Sequence, residues 1–288
     1  MNVGDINLRR NRRMIDLRGS SVSPTKVGAT ANGLFIDVNY NPDDIYIRKS
    51  MLGDFDFCPW KFKESWMQPG KEGESEWGGS YITKMGTRFH DFAQNWWNFC
   101  EQIPMDRWHD VIPDQFNQTE TAWAHWWIDT EIKRYLHLEE NDLLDMWKPV
   151  SVENKLIDKK LKLTSTFDRL DWWDKDAEEL AMIEYKTGTS FYAPALMSQL
   201  AFYSMIWEDI FNFGQVRKLI VINPNLKING YFDHSACFTL TDKMIDNVIN
   251  KVAKLRKTIS TGGPFPRKCT LNKYKVCRMC LPSDTKVF

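Results

Sequence analysis

The chain has 288 residues, of which 43% are hydrophobic and 26% charged, and its 38 basic residues are balanced by 38 acidic ones. A chain of this length buries a sizeable core, and the composition is that of a globular protein, not a disordered or fibrous one. No apolar run approaches the roughly 20 residues that span a bilayer. No apolar stretch follows Arg9, Arg10, Arg12 and Arg13, so no secretory leader is expected and a cytoplasmic location is. Zero net charge does not advertise a polyanion partner, but the charge is uneven. The N-terminal arm is arginine-rich, and Lys251 to Lys286 is basic with Asp284 as its one acid. Such ends either steer a polyanion or are simply solvated.

In chain order, residues 1–45 read as an extended arm rich in Gly, Ser, Pro, Asn and Arg, with a strand possible from Gly33 to Val38. A helix is expected from about Ser50 to Trp66, then a loop from Pro69 to Gly79. Met85, Phe89, Phe92, Trp96 and Phe99 recur at three- and four-residue steps, which predicts a helix over 80–100. A second helix is expected from Thr119 to Leu143. Val150–Ile157, Leu161–Trp172 and Leu180–Tyr185 read as strands, with a turn at Lys175–Glu178. Helix returns from Pro194 to Phe211, strands follow at Arg217–Asn223 and Tyr231–Leu240, and Thr241 caps a last helix to about Ile259. This order predicts an α/β fold with a mixed central sheet flanked by helices. The helical region 80–147 would be an insertion, and 264–288 a cysteine-rich C-terminal tail. Trp96, Trp97, Trp123, Trp126, Trp127 and Trp147 either pack as core, as their helical spacing favours, or stack on unpaired bases.

The chemistry-bearing residues lie around the predicted hairpin. Side chains alternate along a strand, so Glu184 and Lys186 share a face and Ile183 and Tyr185 take the other. Asp168, on the preceding strand, can come beside Glu184. Two carboxylates bind a hard cation, which activates water and polarises a phosphoryl oxygen. A lysine beside them offsets phosphate charge and orients or deprotonates the water. Taken alone, a Glu-x-Lys triplet is also an ordinary salt bridge on an edge strand.

Four ordered motifs narrow the choice: Gly86-Thr-Arg-Phe-His90, Ser165-Thr-Phe-Asp168, Glu184-Tyr-Lys186-Thr-Gly188 and Gln199-Leu-Ala-Phe-Tyr203. Together they resemble the RecB-type branch of the PD-(D/E)xK nuclease superfamily, over roughly Ser50 to Cys280. Ser165 departs from the glycine usual there. The resemblance implies a restriction-endonuclease-like core in a nuclease domain spanning 46–288, behind the arm 1–45. It implies Asp168 and Glu184 as ligands of Mg²⁺ or Mn²⁺, His90 as a further metal ligand and Lys186 as the catalytic lysine. Gln199 and Tyr203, one helical turn apart, would support the active site and the DNA strand.

Six cysteines without a leader do not suggest a disulfide framework. Cys58 stands far upstream of Cys269, Cys277 and Cys280, and this bracket resembles the iron–sulfur subset of the same family, which includes the AddB nuclease domain and CRISPR-associated adaptation nucleases. That resemblance implies a [4Fe–4S] cluster; four thiolates also suit structural Zn²⁺ as the alternative, or they are free. The tail departs from the subset, because Cys269 precedes the Cys277-x2-Cys280 pair where the usual third cysteine follows it. Cys100 and Cys237 are spaced as core residues. The expected function is a metal-dependent DNA nuclease, an exonuclease acting on single strands or duplex ends in recombination, repair or phage replication. The chain has no phosphate-cradling G-x-x-x-x-G-K-[ST] loop, so a helicase or recombinase would be a separate partner. The rival expectation is an inactive nuclease fold that binds DNA or a partner.

Overall fold

The computed structural model describes residues 28–30, 33–35, 45–67, 81–188, 192–225 and 235–267. Most of the expected extended arm, and Cys269, Cys277 and Cys280, lie outside the described residues. The chain divides into two compact units: Met1–Ser75 with Lys159–Thr164 and Asp246–Phe288, and Glu76–Asp158 with Ser165–Ile245.

In the first unit, strands β1 (Gly28–Thr30) and β2 (Gly33–Phe35) pair antiparallel. Strand β3 (Ile47–Arg48) lies parallel to Leu163–Thr164, the first two residues of β5 (Leu163–Asp174). The helix expected over 50–66 is two helices, α1 (Lys49–Phe57) and α2 (Pro59–Trp66). The break falls at Cys58, held extended at φ −160°, ψ 112°. Its cause is Pro59, whose ring drives the preceding residue out of the helical region and starts the next helix well. Asp54 ties the two helices together by accepting from Lys61 Nζ at 2.6 Å and Trp66 Nε1 at 2.9 Å. Phe62, fully buried, packs on Phe55 edge-on and on Phe265 face-on. Arg267 lies 4.7 Å above the Trp60 ring. The apolar stripe of the last helix, with Val248, Val252, Leu255 and Ile259, is buried.

The second unit holds the sheet. Strand β4 (Ser151–Asp158) pairs with β5, β5 runs antiparallel to β6 (Glu179–Tyr185), β6 parallel to β7 (Gln215–Ile222), and β7 antiparallel to β8 (Ser235–Thr239). Parallel β6 and β7 need a crossover, and α6 (Ala193–Ile210) supplies it. This is the mixed α/β architecture expected from the order of elements. One sheet face presents Ala181, Ile183, Tyr185, Ile220 and Ile222 to α3 (Tyr81–Asn95), α4 (Trp97–Cys100) and α5 (Gln118–Glu140). Helices α3 and α4 are the one helix expected over 80–100, interrupted at Trp96. Helix α5 begins in a capping box: Asn117 accepts from the amides of Thr119 and Glu120, and Glu120 from the amide of Asn117. On the other side α6 packs against β4, β6 and β7. Its buried residues run almost all round, Leu196 to Trp207, as in a core helix.

Trp96, Trp123, Trp127 and Trp147 are core, and Trp97 and Trp126 pack partly buried against them. Trp96 is fully buried, with the rings of Trp127, Trp97 and Trp108 edge-on at 4.8, 4.9 and 5.0 Å. Trp108, in a 3-10 helix from Met105 to Val111 that the periodicity did not signal, stacks on Trp147 at 5.3 Å. Each such pair adds about 0.5–1.5 kcal/mol beyond its buried area. Beneath them lies a buried charge network. The Arg169 guanidinium forks onto Asp171 (2.7 and 2.6 Å), donates to Glu131 at 2.5 Å, and sits 4.7 Å from the Trp97 ring. Arg134 donates to Glu131, to the carbonyls of Met146 and Trp147, and pairs with Asp171 at 3.2 Å. Two guanidinium groups and two carboxylates cancel, which is what makes their burial tolerable. Removing one partner leaves an uncompensated charge. Glu131→Ala is therefore expected to lower unfolding stability by about 3–5 kcal/mol, read as a fall in the urea midpoint at unchanged slope.

Candidate active site

All the candidate residues outside the cysteines belong to the second unit. His90 is on α3, Asp168 on β5, Glu184 on β6, Lys186 just past its end, and Gln199 and Tyr203 on α6. Register explains the meeting of the carboxylates. Leu170 faces Met182 and Arg169 faces Ile183, so Asp168 and Glu184 are the next residues outward, where the regular ladder stops. There Asp168 Oδ2 accepts the amide of Tyr185 at 2.6 Å. The side chain replaces the backbone acceptor that the parting strands no longer supply.

Glu184 is buried, and its two oxygens have different surroundings. Oε1 accepts from Lys186 Nζ and from Gln199 Nε2 (2.5 Å). Oε2 is buried with no hydrogen-bond partner among the described residues. A buried carboxylate oxygen without a donor is costly. Gln199 also donates to the Tyr203 hydroxyl at 2.7 Å, and that hydroxyl is hydrogen-bonded to Ser165. Ser165, the residue standing where the resemblance has glycine, thus ties the β5 strand to α6. Burial, reinforced by the Glu184 and Asp168 charges, pushes the Tyr203 phenol well above its ordinary pKa, so it remains a neutral hydrogen-bonding group.

Asp168 is pushed up to about 7, by burial first and by the negative charge of Glu184 second. His90 faces it from α3, with Nδ1 3.7 Å from Asp168 Oδ1 and its ring edge-on to Tyr185 at 5.9 Å. Burial works against the imidazolium, but Glu153, Asp168 and Glu184 outweigh it and raise the His90 pKa.

Glu153 is the residue that sequence reasoning missed. Its Oε1 lies 3.9 Å from His90 Nδ1, and ligand atoms of His90, Glu153 and Asp168 all fall within 4.8 Å of one another. Its φ is +45°, a left-handed conformation uncommon for glutamate and concentrated at functional sites. The available signal was an acid on the strand before Asp168, which without the tertiary structure is one acid among many. The donors present, carboxylate oxygens and an imidazole with one carboxylate oxygen unsatisfied, suit a divalent cation of the Mg²⁺ or Mn²⁺ kind. An open cleft beside them is lined by Gly86, Thr87, Asp91 and Gln94 of α3 and by Thr187. Gly86 faces the Thr187 side chain: a Cβ there would lie 2.9 Å from Thr187 Oγ1 and would oblige that hydroxyl to shift.

Cys58, in the first unit, is buried and forms no disulfide among the described residues. The other three residues of the expected cysteine bracket lie outside the described residues. Cys100 is buried and Cys237 partly so, as their spacing suggested.

The raised pKa of Asp168 has a stability consequence. Below about 4, the ordinary carboxylate pKa, folded and unfolded chains are both protonated there and the group is neutral to stability. Between that pH and about 7 the unfolded chain ionises first, so the cost to the folded state grows with pH and then levels off. Metal-free Asp168→Asn, which keeps the acceptor for the Tyr185 amide, is expected to melt above the parent at pH 8. The advantage should shrink to nothing near pH 4, as followed by circular dichroism in chelator.

The model of the PD-(D/E)XK nuclease superfamily matches residues 50–283. A search among curated proteins finds no match. Among solved structures, one similar chain is a protein from Eubacterium rectale named as a candidate exonuclease, 10% identical, with a TM-score of 0.47 over 85% of this chain and 92% of that one. With the family model covering most of its length, the chain belongs to the PD-(D/E)XK nuclease superfamily.

Proposed function

We propose that this chain is a divalent-metal-dependent DNA nuclease of the RecB type, with its active centre at Asp168, Glu184 and Lys186. The observation that carries this reading is the buried Oε2 of Glu184, without a hydrogen-bond partner among the described residues, beside a second buried carboxylate, with Lys186 on the other oxygen. Asp168, Glu184 and His90 would hold the cation, and Glu153 stands near enough to His90 and Asp168 to join those two. When bound, a divalent cation supplies Lewis acidity toward a phosphoryl oxygen and makes a water molecule more acidic. The chain's own residues do the rest. Lys186 donates from its ammonium to the attacking water or a phosphate oxygen, while Glu184 holds it in place. Gln199 holds Glu184, and Tyr203 and Ser165 hold Gln199, so the carboxylate does not have to reorganise during the reaction.

The finer reading is an exonuclease on single strands or duplex ends, in recombination, repair or phage replication, working beside a separate helicase or recombinase. We retain the division into an arm over 1–45 and a nuclease domain over 46–288. We also retain a [4Fe–4S] cluster on Cys58, Cys269, Cys277 and Cys280, with Zn²⁺ as the alternative occupant. It is supported by the course of the chain before Cys269, where Phe265 and Arg267 lie on Phe62 and Trp60 of α2, the helix that follows Cys58. Anaerobically purified protein should then show broad visible absorption from iron–sulfur charge transfer; a colourless, zinc-loaded protein would count against the cluster. Among the described residues, no helix is long and apolar enough to cross a membrane.

The test is digestion of end-labelled linear and covalently closed circular DNA with Mg²⁺ or Mn²⁺. The parent should degrade linear DNA from its ends and leave circles intact. Lys186→Ala should lose about 10²–10⁴-fold in rate, and His90→Ala should need more metal to reach its maximum. Cutting of circles would overturn the exonuclease assignment, and intact DNA under every metal would overturn the enzyme.

A further inference from the structure

We infer that Asn223 and Asn225 are positioning residues that clamp the Lys186–Gly188 segment and thereby place the Lys186 ammonium; this rests on the nuclease reading above. Regular pairing of β6 with β7 ends at Tyr185 and Ile222, and one further bond follows, from the Lys186 amide to the Ile222 carbonyl at 2.8 Å. Past it the chain leaves the sheet. The carbonyls of Thr187 and Gly188 then need donors from elsewhere.

Both come from the Asn223-Pro224-Asn225 turn that follows β7. Asn225 Nδ2 donates to the Thr187 carbonyl at 2.6 Å, and Asn223 Nδ2 to the Gly188 carbonyl at 2.8 Å. Asn223 Oδ1 accepts the Asn225 amide at 2.8 Å, which locks the two side chains into one unit. Pro224 between them fixes its own φ. Asn223 is fully buried. Gly86 of α3 faces the Thr187 side chain, where a Cβ would lie 2.9 Å from Oγ1.

The clamp matters because lysine is long and rotatable. The Lys186 side chain remains one-third exposed, with Glu184 as its described ion-pair partner. Where Nζ can reach is set by where its Cα stands, and that is set by residues 186–188. A displacement of about 1 Å at a reacting group costs on the order of 100-fold in rate.

The experiment is a double-mutant cycle on the full chain, with kcat and KM for linear DNA in Mn²⁺, DNA affinity in chelator, and thermal unfolding. Asn225 is exposed, so Asn225→Ala should fold and melt like the parent. We expect its kcat to fall about 10- to 100-fold, with KM and DNA affinity within about two-fold of the parent. Asn225→Gln, which keeps an amide donor, should recover part of the rate. In a Lys186→Ala background, Asn225→Ala should cost almost nothing more, because groups acting through one another are not additive. Asn223→Asp, which keeps the acceptor for the Asn225 amide but loses the donor to Gly188, should behave like Asn225→Ala if it folds. An unchanged kcat in Asn225→Ala, or an equal loss with and without Lys186, overturns the clamp and leaves the nuclease reading intact. Lys186→Ala cutting at the parental rate overturns both.

Discussion

Two carboxylates packed side by side at the edge of a buried sheet repel each other and have lost their water. Asp168 and Glu184 are in that position, and much of the second unit is arranged to hold them there. One Asp168 oxygen is tied to a backbone amide, and one Glu184 oxygen to a lysine and a glutamine. Those bonds offset part of the cost. The Glu184 oxygen without a donor among the described residues and the upward-shifted Asp168 are what remains, a combination of donors that suits a small, hard cation.

Tyr185 links that centre to the core. Its backbone amide orients Asp168, its ring lies against His90, Phe89 and Trp127, and its hydroxyl accepts from Arg169 at 3.4 Å. Arg169 in turn belongs to the buried quartet with Glu131, Asp171 and Arg134. The indole-rich helical region is therefore more than a covering layer. Through Glu131 it reaches the residue between Glu184 and Lys186, so core packing and site geometry share one network.

Periodicity placed the major helices and strands of the second unit, because an apolar stripe or an alternating strand repeats locally and can be read without knowing its partners. Boundaries moved where a local steric rule intervened, as at Cys58-Pro59. The short 3-10 helix at Met105–Val111 carries too few residues to show a period. The tryptophans, open to two readings by spacing, are assigned by burial: Trp96 touches four other indoles. The four motifs brought out Asp168, Glu184, Lys186, His90, Gln199 and Tyr203 because each motif is contiguous in the chain.

The amino-acid sequence by itself determined the fold class and the superfamily, because hydrophobic periods and short ordered motifs are local properties of the chain. Only the tertiary structure decided which further residues stand beside those motifs. Glu153 reaches His90 by a left-handed backbone that no pattern announces. Ser165, on a strand, finds its partner on a helix, and the Asn223 and Asn225 side chains bond carbonyls 35 or more residues away in the chain. Those roles depend on contacts between distant parts of the chain, and such contacts exist only once strands have paired and the end of one ladder has been brought against the end of the next.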